Sequence, residues 1–123
     1  MPNIFSEKST QTWDEGKDCL GRGLVNTAAN RIYYSVFQAV KGFAIQRGMM
    51  TMESSVNVHR AVLQIVWSDG KGAYFRRRLN ALFGLRVIAD YNAESVDQSE
   101  LEELLDDADR IRKYYIRIAG TEI

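Results

Sequence analysis

The chain of 123 residues has one cysteine, one proline and one histidine. Each scarcity excludes something. Cys19 cannot form a disulfide within the chain, which fits a reducing compartment. No histidine lies near it in sequence, so it reads as buried or half-buried filler. One histidine and one cysteine cannot supply a usual zinc set, and no metal is expected. The lone proline stands at position 2, which leaves the rest of the chain free of the strongest helix breaker. Charge of one sign is also lacking: 16 Lys and Arg balance 16 Asp and Glu. The total therefore carries no polybasic signature of nucleic-acid binding. No run approaches 18 apolar residues, so no membrane span is expected. The first residues hold no apolar run of signal-peptide type. The expected location is the cytoplasm. The run Gly70-Lys71-Gly72 lacks the spacing of a phosphate-binding loop. No serine or cysteine stands beside a histidine for nucleophilic catalysis. No cofactor is implied.

What remains is helical periodicity. A first helix is expected from about Ser6 to Gly21, with a sparse apolar face of Trp13, Leu20 and Cys19, and with Gly21 and Gly23 at its end. A second runs from about Asn26 to Gln46, with Asn26 or Thr27 capping its start. Ala29, Tyr33, Val36, Phe37, Val40 and Ala44 recur at three and four residues. Ile32, Phe43 and Ile45 widen the stripe, as in a helix covered on several sides. Gly48 is its expected C-terminal cap. Met49, Met50 and Met52 are loop anchors or a contact patch. A short third helix spans about Ser55 to Ser68, carrying Val58, Val62, Ile65 and Val66.

The fourth helix is expected from about Ala73 to Tyr91, with Phe75, Leu79, Leu82, Phe83, Ile88 and Ala89 inward. A turn follows from Asn92 to Val96. Asp97, with Glu100 three residues on, reads as an acidic capping box. The fifth helix, about Gln98 to Ile118, has a regular stripe of Leu101, Leu104, Leu105, Ala108, Ile111, Tyr115 and Ile118. Its first half is acidic and its second half basic, which suits the helix dipole. The fold class is all-α, an up-and-down bundle of four long helices plus a shorter one, forming a single domain over 1–123.

Polar residues stand near the apolar stripes in two places. Arg31, Tyr34 and Gln38 share one side of the second helix. Arg86 and Asp90 lie four apart on the fourth, with Tyr91 at its end. If these helices touch, Arg31, Tyr34, Arg86 and Asp90 form one network. It is either a structural network that fixes helix pairing or an anion site with two guanidiniums. His59 is a core or capping histidine, or else a general base or ligand contact. Arg76, Arg77 and Arg78 sit at a helix start, against its dipole. They form a solvated face or a patch for an anionic partner, to which Trp67 and Tyr74 add apolar area.

The strings AANRIYYSVFQAVKGFAIQRG (28–48), VHRAVL (58–63) and LFGLRVIADYNAE (82–94) resemble the HEPN superfamily, over about residues 10 to 118. The resemblance implies a helical bundle, usually a homodimer or higher homo-oligomer. It implies pairing with a minimal nucleotidyltransferase in a toxin–antitoxin or defence system. Many relatives are metal-independent ribonucleases carrying an arginine followed, after four to six residues, by a histidine. Arg86 matches that arginine. Positions 91 to 93 are Tyr, Asn and Ala, so the histidine is missing and Asn92 is its nearest polar substitute. Asparagine cannot serve as a general base at neutral pH. Some relatives have a histidine where this chain has Gln38, and His59 matches one at the start of their third helix. The expectation is a non-catalytic partner subunit of a nucleotidyltransferase that contacts a nucleotide or RNA through Arg31, Tyr34, Gln38, Arg86 and Asn92. The alternatives are a divergent ribonuclease toxin using Arg86, Asp90, Tyr91 and His59, and a purely structural oligomerisation module.

Overall fold

The computed structural model describes residues 4–51, 58–68, 72–92 and 94–120. They form five helices: α1 (Ile4–Gly21), α2 (Val25–Gln46), α3 (Val58–Ser68), α4 (Gly72–Tyr91) and α5 (Gln98–Ala119). No strand occurs among them. Four helices have 18 to 22 residues and α3 has 11, as the periodicity predicts.

The centre is α2, which packs on all four other helices. Its wide stripe is the reason. Ala28, Ala29, Ile32, Tyr33, Val36, Ala39, Val40 and Ala44 are essentially inaccessible to water. A helix apolar on so many sides is stable only when it is surrounded. Leu79, Leu82 and Leu85 of α4 join it, as do Leu101, Ala108, Ile111 and Tyr115 of α5. Cys19 is half-buried and packs against this core.

Two local expectations need correction. The buried face of α1 is not its apolar one. Ser9, Thr12 and Gly16 are the buried residues, while Trp13, Cys19 and Leu20 pack from the flanks. The cause is close helix approach. The Ser9 hydroxyl donates to the Ser35 carbonyl at 2.6 Å, and the Ser35 hydroxyl donates to the Ile32 carbonyl at 2.6 Å. A Cβ on Gly16 would stand 2.7 Å from Cδ1 of Ile32.

The second correction concerns the start of α2. The residue before it is Leu24, and no side chain caps the helix. Asn26 Oδ1 instead accepts the Val96 amide at 2.8 Å. A long-range bond to the buried Val96 connection has displaced the local cap. The glycine expectations match the geometry, for α1 and α2 both end in Schellman turns. Leu24 N–H donates to Cys19 O, and Met49 N–H to Ala44 O. Gly23 and Gly48, at φ 77° and 73°, take the left-handed position after each helix. The capping expectation for α5 matches the geometry. Asp97 Oδ1 accepts the Glu100 amide at 3.1 Å.

The expected first turn of α3 and Met52 lie outside the described residues, as does the side chain of Trp67. Met49 is exposed and Met50 half-buried. No helix among the described residues is long and apolar enough to cross a membrane.

Candidate functional site

Residues from α2, α3 and α4 converge on the guanidinium of Arg86. On α2, Asn30, Tyr33, Tyr34 and Phe37 recur at three and four residues, so they share one face. On α4, Phe83, Arg86 and Asp90 do the same. Close packing of α2 on α4 sets these faces together.

The Arg86 side chain is 11% exposed. Its Nη2 donates to the Tyr34 hydroxyl at 3.0 Å and lies 3.5 Å from the Tyr91 hydroxyl. Its Nε is 3.0 Å from Asp90 Oδ2 but makes no hydrogen bond, so that contact is an ion pair. Four rings surround the cation. Its Cζ is 5.4 Å from the ring centres of Tyr34 and Tyr91, 5.9 Å from Tyr33 and 6.0 Å from Phe83. Those distances are within cation–π range. Burial alone would lower the Arg86 pKa. Tyr34, Tyr91, Asp90 and Tyr33 outweigh it and hold the group above its usual value, permanently charged.

Asp90 links the two arginines through Asn30. The Asn30 amide nitrogen donates to both Asp90 oxygens, at 3.2 and 3.1 Å. Its carbonyl accepts from Arg31 Nε at 3.0 Å and Nη2 at 2.7 Å. Arg31 also lies 5.6 Å from the Tyr34 ring centre. The cluster thus holds two cations, Arg31 and Arg86, and one carboxylate, an excess of positive charge. Tyr91, 70% exposed, stands at its open edge.

His59 belongs to this cluster. Its ring centre is 4.6 Å from Phe37, 5.6 Å from Tyr34 and 5.8 Å from Tyr33. Its Nδ1 and the Tyr33 hydroxyl are 3.0 Å apart, with donor and acceptor set by the tautomer. Burial, and then the charge of Arg86, push the His59 pKa below 6.5. The imidazole is therefore neutral at neutral pH. Burial raises the Tyr33 pKa strongly, so its hydroxyl stays protonated.

The structure thus brings together Arg31, Tyr34, His59, Arg86, Asp90 and Tyr91. Sequence reading missed Asn30, the bridge, and Tyr33, the contact of His59. Asn30 adjoins Arg31 and shares a face with Tyr34, which was the available signal. His59 is far from Arg86 in sequence, and only the packing of α3 shows them to be neighbours.

Among the described residues, neither Gln38 nor Asn92 bonds to Arg86 or Asp90. Gln38 is half-buried, and its Oε1 has no hydrogen-bond partner among the described residues. Asn92 is exposed just past α4, with its backbone amide on Ile88 O. Arg76, Arg77 and Arg78 are all exposed. Arg78 pairs with Asp107 of α5 at 3.1 Å and covers the Tyr74 ring. Among the described residues no group of three His, Cys, Asp or Glu can hold a metal ion.

A family model described as HEPN domain matches residues 4–119 of the chain. No curated protein matches it.

Proposed function

The chain belongs to the HEPN domain family, and from that premise we propose that it is a non-catalytic partner subunit of a nucleotidyltransferase, presenting the Arg86 cluster to the partner or to its nucleotide or RNA. One observation carries this reading. Arg86 is held by Asp90 and a ring of tyrosines, while the positions expected to carry the ribonuclease histidine hold Tyr91, Asn92 and Ala93. The cluster keeps a guanidinium suited to phosphate or carboxylate and lacks the usual group that takes a proton. The excess positive charge and the exposed Tyr91 support binding at this edge.

Co-expression of the tagged chain with the product of the neighbouring gene tests the proposal. The expected result is a stable complex at micromolar concentration that Arg86→Ala weakens while both proteins remain folded. No complex between two folded proteins overturns it.

A second reading has one specific observation behind it. His59 is neutral and adjoins the same cluster, and neutral imidazole is the form a general base requires. If the chain cleaves RNA, His59→Ala and Arg86→Ala should each abolish cleavage without metal. Equal cleavage by wild type and both variants, or none by any, rules against this reading.

A further inference from the structure

On the side of α4 away from Arg86, a groove of about 410 Å³ opens along the seam with α5. Leu85 and Leu104, both nearly buried, form its floor. Ala81, Gly84 and Ile88 line it from α4, and Glu100 and Glu103 line it from α5. At about 100° per residue, Ala81, Gly84 and Ile88 lie opposite Leu79, Leu82 and Arg86 around α4. Over this stretch α4 is thus apolar on two sides, and a helix of that kind is usually covered on both. Its inner side joins the core, with Leu79 and Leu82 buried. Its outer side is open: Ala81 and Gly84 are exposed, and a Cβ on Gly84 would meet nothing within 4 Å.

Two features say what chemistry would cover it. The first is charge. No charged residue stands between Arg78 and Arg86 in the sequence, so this part of α4 offers no cation to the glutamates across the groove. Neither the Glu100 nor the Glu103 carboxylate has an ion-pair partner among the described residues. They lie three apart on one face of α5, where like charges repel. The helix dipole favours Glu100 in the first turn, but its effect fades before Glu103 in the second. The second feature is shape. Ala81 to Ile88 is two turns, about 10 Å of helix. A docked amphipathic helix sets its anchors at i, i+3, i+4 and i+7, over the same length. The absent side chain at Gly84 lets such a helix approach closely.

We propose that this groove docks a basic amphipathic helix of a partner protein. The helix lays its apolar face over Leu85 and Leu104, and its lysines or arginines pair with Glu100 and Glu103. A nucleic-acid strand or an anionic membrane would meet the same glutamates and be repelled. No residue belongs to both this groove and the Arg86 cluster, so each surface can be disabled alone.

The test is a titration of the isotope-labelled full chain with two model helical peptides, followed through its amide NMR shifts. One peptide carries leucine and lysine at amphipathic spacing, and the other has glutamate in place of lysine. The lysine peptide is expected to shift the amides of Ala81, Gly84, Leu85, Ile88 and Leu104 saturably, and less at high salt. The glutamate peptide is expected to leave them unmoved. Gly84→Leu fills the groove without changing charge, and the double variant Glu100→Lys, Glu103→Lys reverses the rim. All three positions are exposed, so both variants should fold, which circular dichroism checks. Each should weaken binding of the lysine peptide about tenfold. Shifts that map elsewhere, no saturable shift up to about 1 mM peptide, or equal binding of the glutamate peptide overturns the proposal. So does a Gly84→Leu variant that binds as tightly as wild type. A wild-type dimer in sedimentation equilibrium that Gly84→Leu dissociates also overturns it, because the groove would then belong to a second copy.

Discussion

Arg86 holds its position through hydrogen bonds to Tyr34 and Tyr91, one ion pair and four rings, and no single contact dominates. Removing it strands the Tyr34 hydroxyl and leaves Asp90 to Asn30 alone. Arg86→Ala should therefore cost about 1–3 kcal/mol in urea unfolding. Arg86→Lys keeps the charge but not the planar group that reaches Tyr34 and the rings together. It should recover less than half of the loss. His59 gives a pH signature. Its folded pKa is below 6.5, so the unfolded chain binds the proton first as pH falls. Stability from this group is complete above pH 6.5 and declines below it, down to the depressed folded pKa. Thermal melts at pH 7.5 and 5.5 should show a smaller loss for His59→Gln than for wild type. An equal loss would place the titration elsewhere.

The helices differ in how their glycines are used. Gly16 faces Ile32 at the α1–α2 contact, where an added methyl meets a fully buried side chain. Gly84, inside α4, has open space where a Cβ would go. Helix propensity favours alanine at both sites by about 1 kcal/mol. Overpacking reverses the sign only at the first, by about 1–3 kcal/mol. Gly84→Ala should raise the melting temperature and Gly16→Ala should lower it. The same contact explains why the α1 face was misread. Periodicity weighs apolar residues, whereas close helix packing selects small ones such as Ser9, Thr12 and Gly16.

At the scale of the molecule, α2 is the element every other helix uses, and α1 packs chiefly on α2 alone. Beyond α2, α1 is tied to the bundle through Arg112. That side chain, 7% exposed, donates to Thr10 at 3.2 Å and lies 5.1 Å from the Trp13 ring centre. Asp109 holds it in place. Burial would raise the Asp109 carboxyl, but hydrogen bonds from Lys113 and Arg112 outweigh this and keep it below the usual carboxylate range. Arg112→Ala should loosen α1 before the rest unfolds. Hydrogen exchange should show α1 amides losing protection about tenfold, with α2 and α5 less affected. Uniform loss across all five helices would mean that α1 is not a separate unit.

The sequence by itself determined the number, type and approximate limits of the helices. Apolar spacing, glycines after α1 and α2, and Asp97 before α5 are local signals, and helix formation is largely local. It also brought out Arg31, Tyr34, Arg86 and Asp90, because charges beside an apolar stripe are visible without coordinates. Tertiary structure alone decided which of them meet. It turned Asn30 into the link between Arg31 and Asp90, and Asn26 from a cap into an anchor for Val96. It drew Arg78 away to Asp107 and placed His59 against Tyr33. Apart from the bond between the neighbours Asn30 and Arg31, these are contacts between residues 26 to 70 positions apart in sequence. A side chain's neighbours across that distance depend on how helices pack, and periodicity records only which face of each helix is buried.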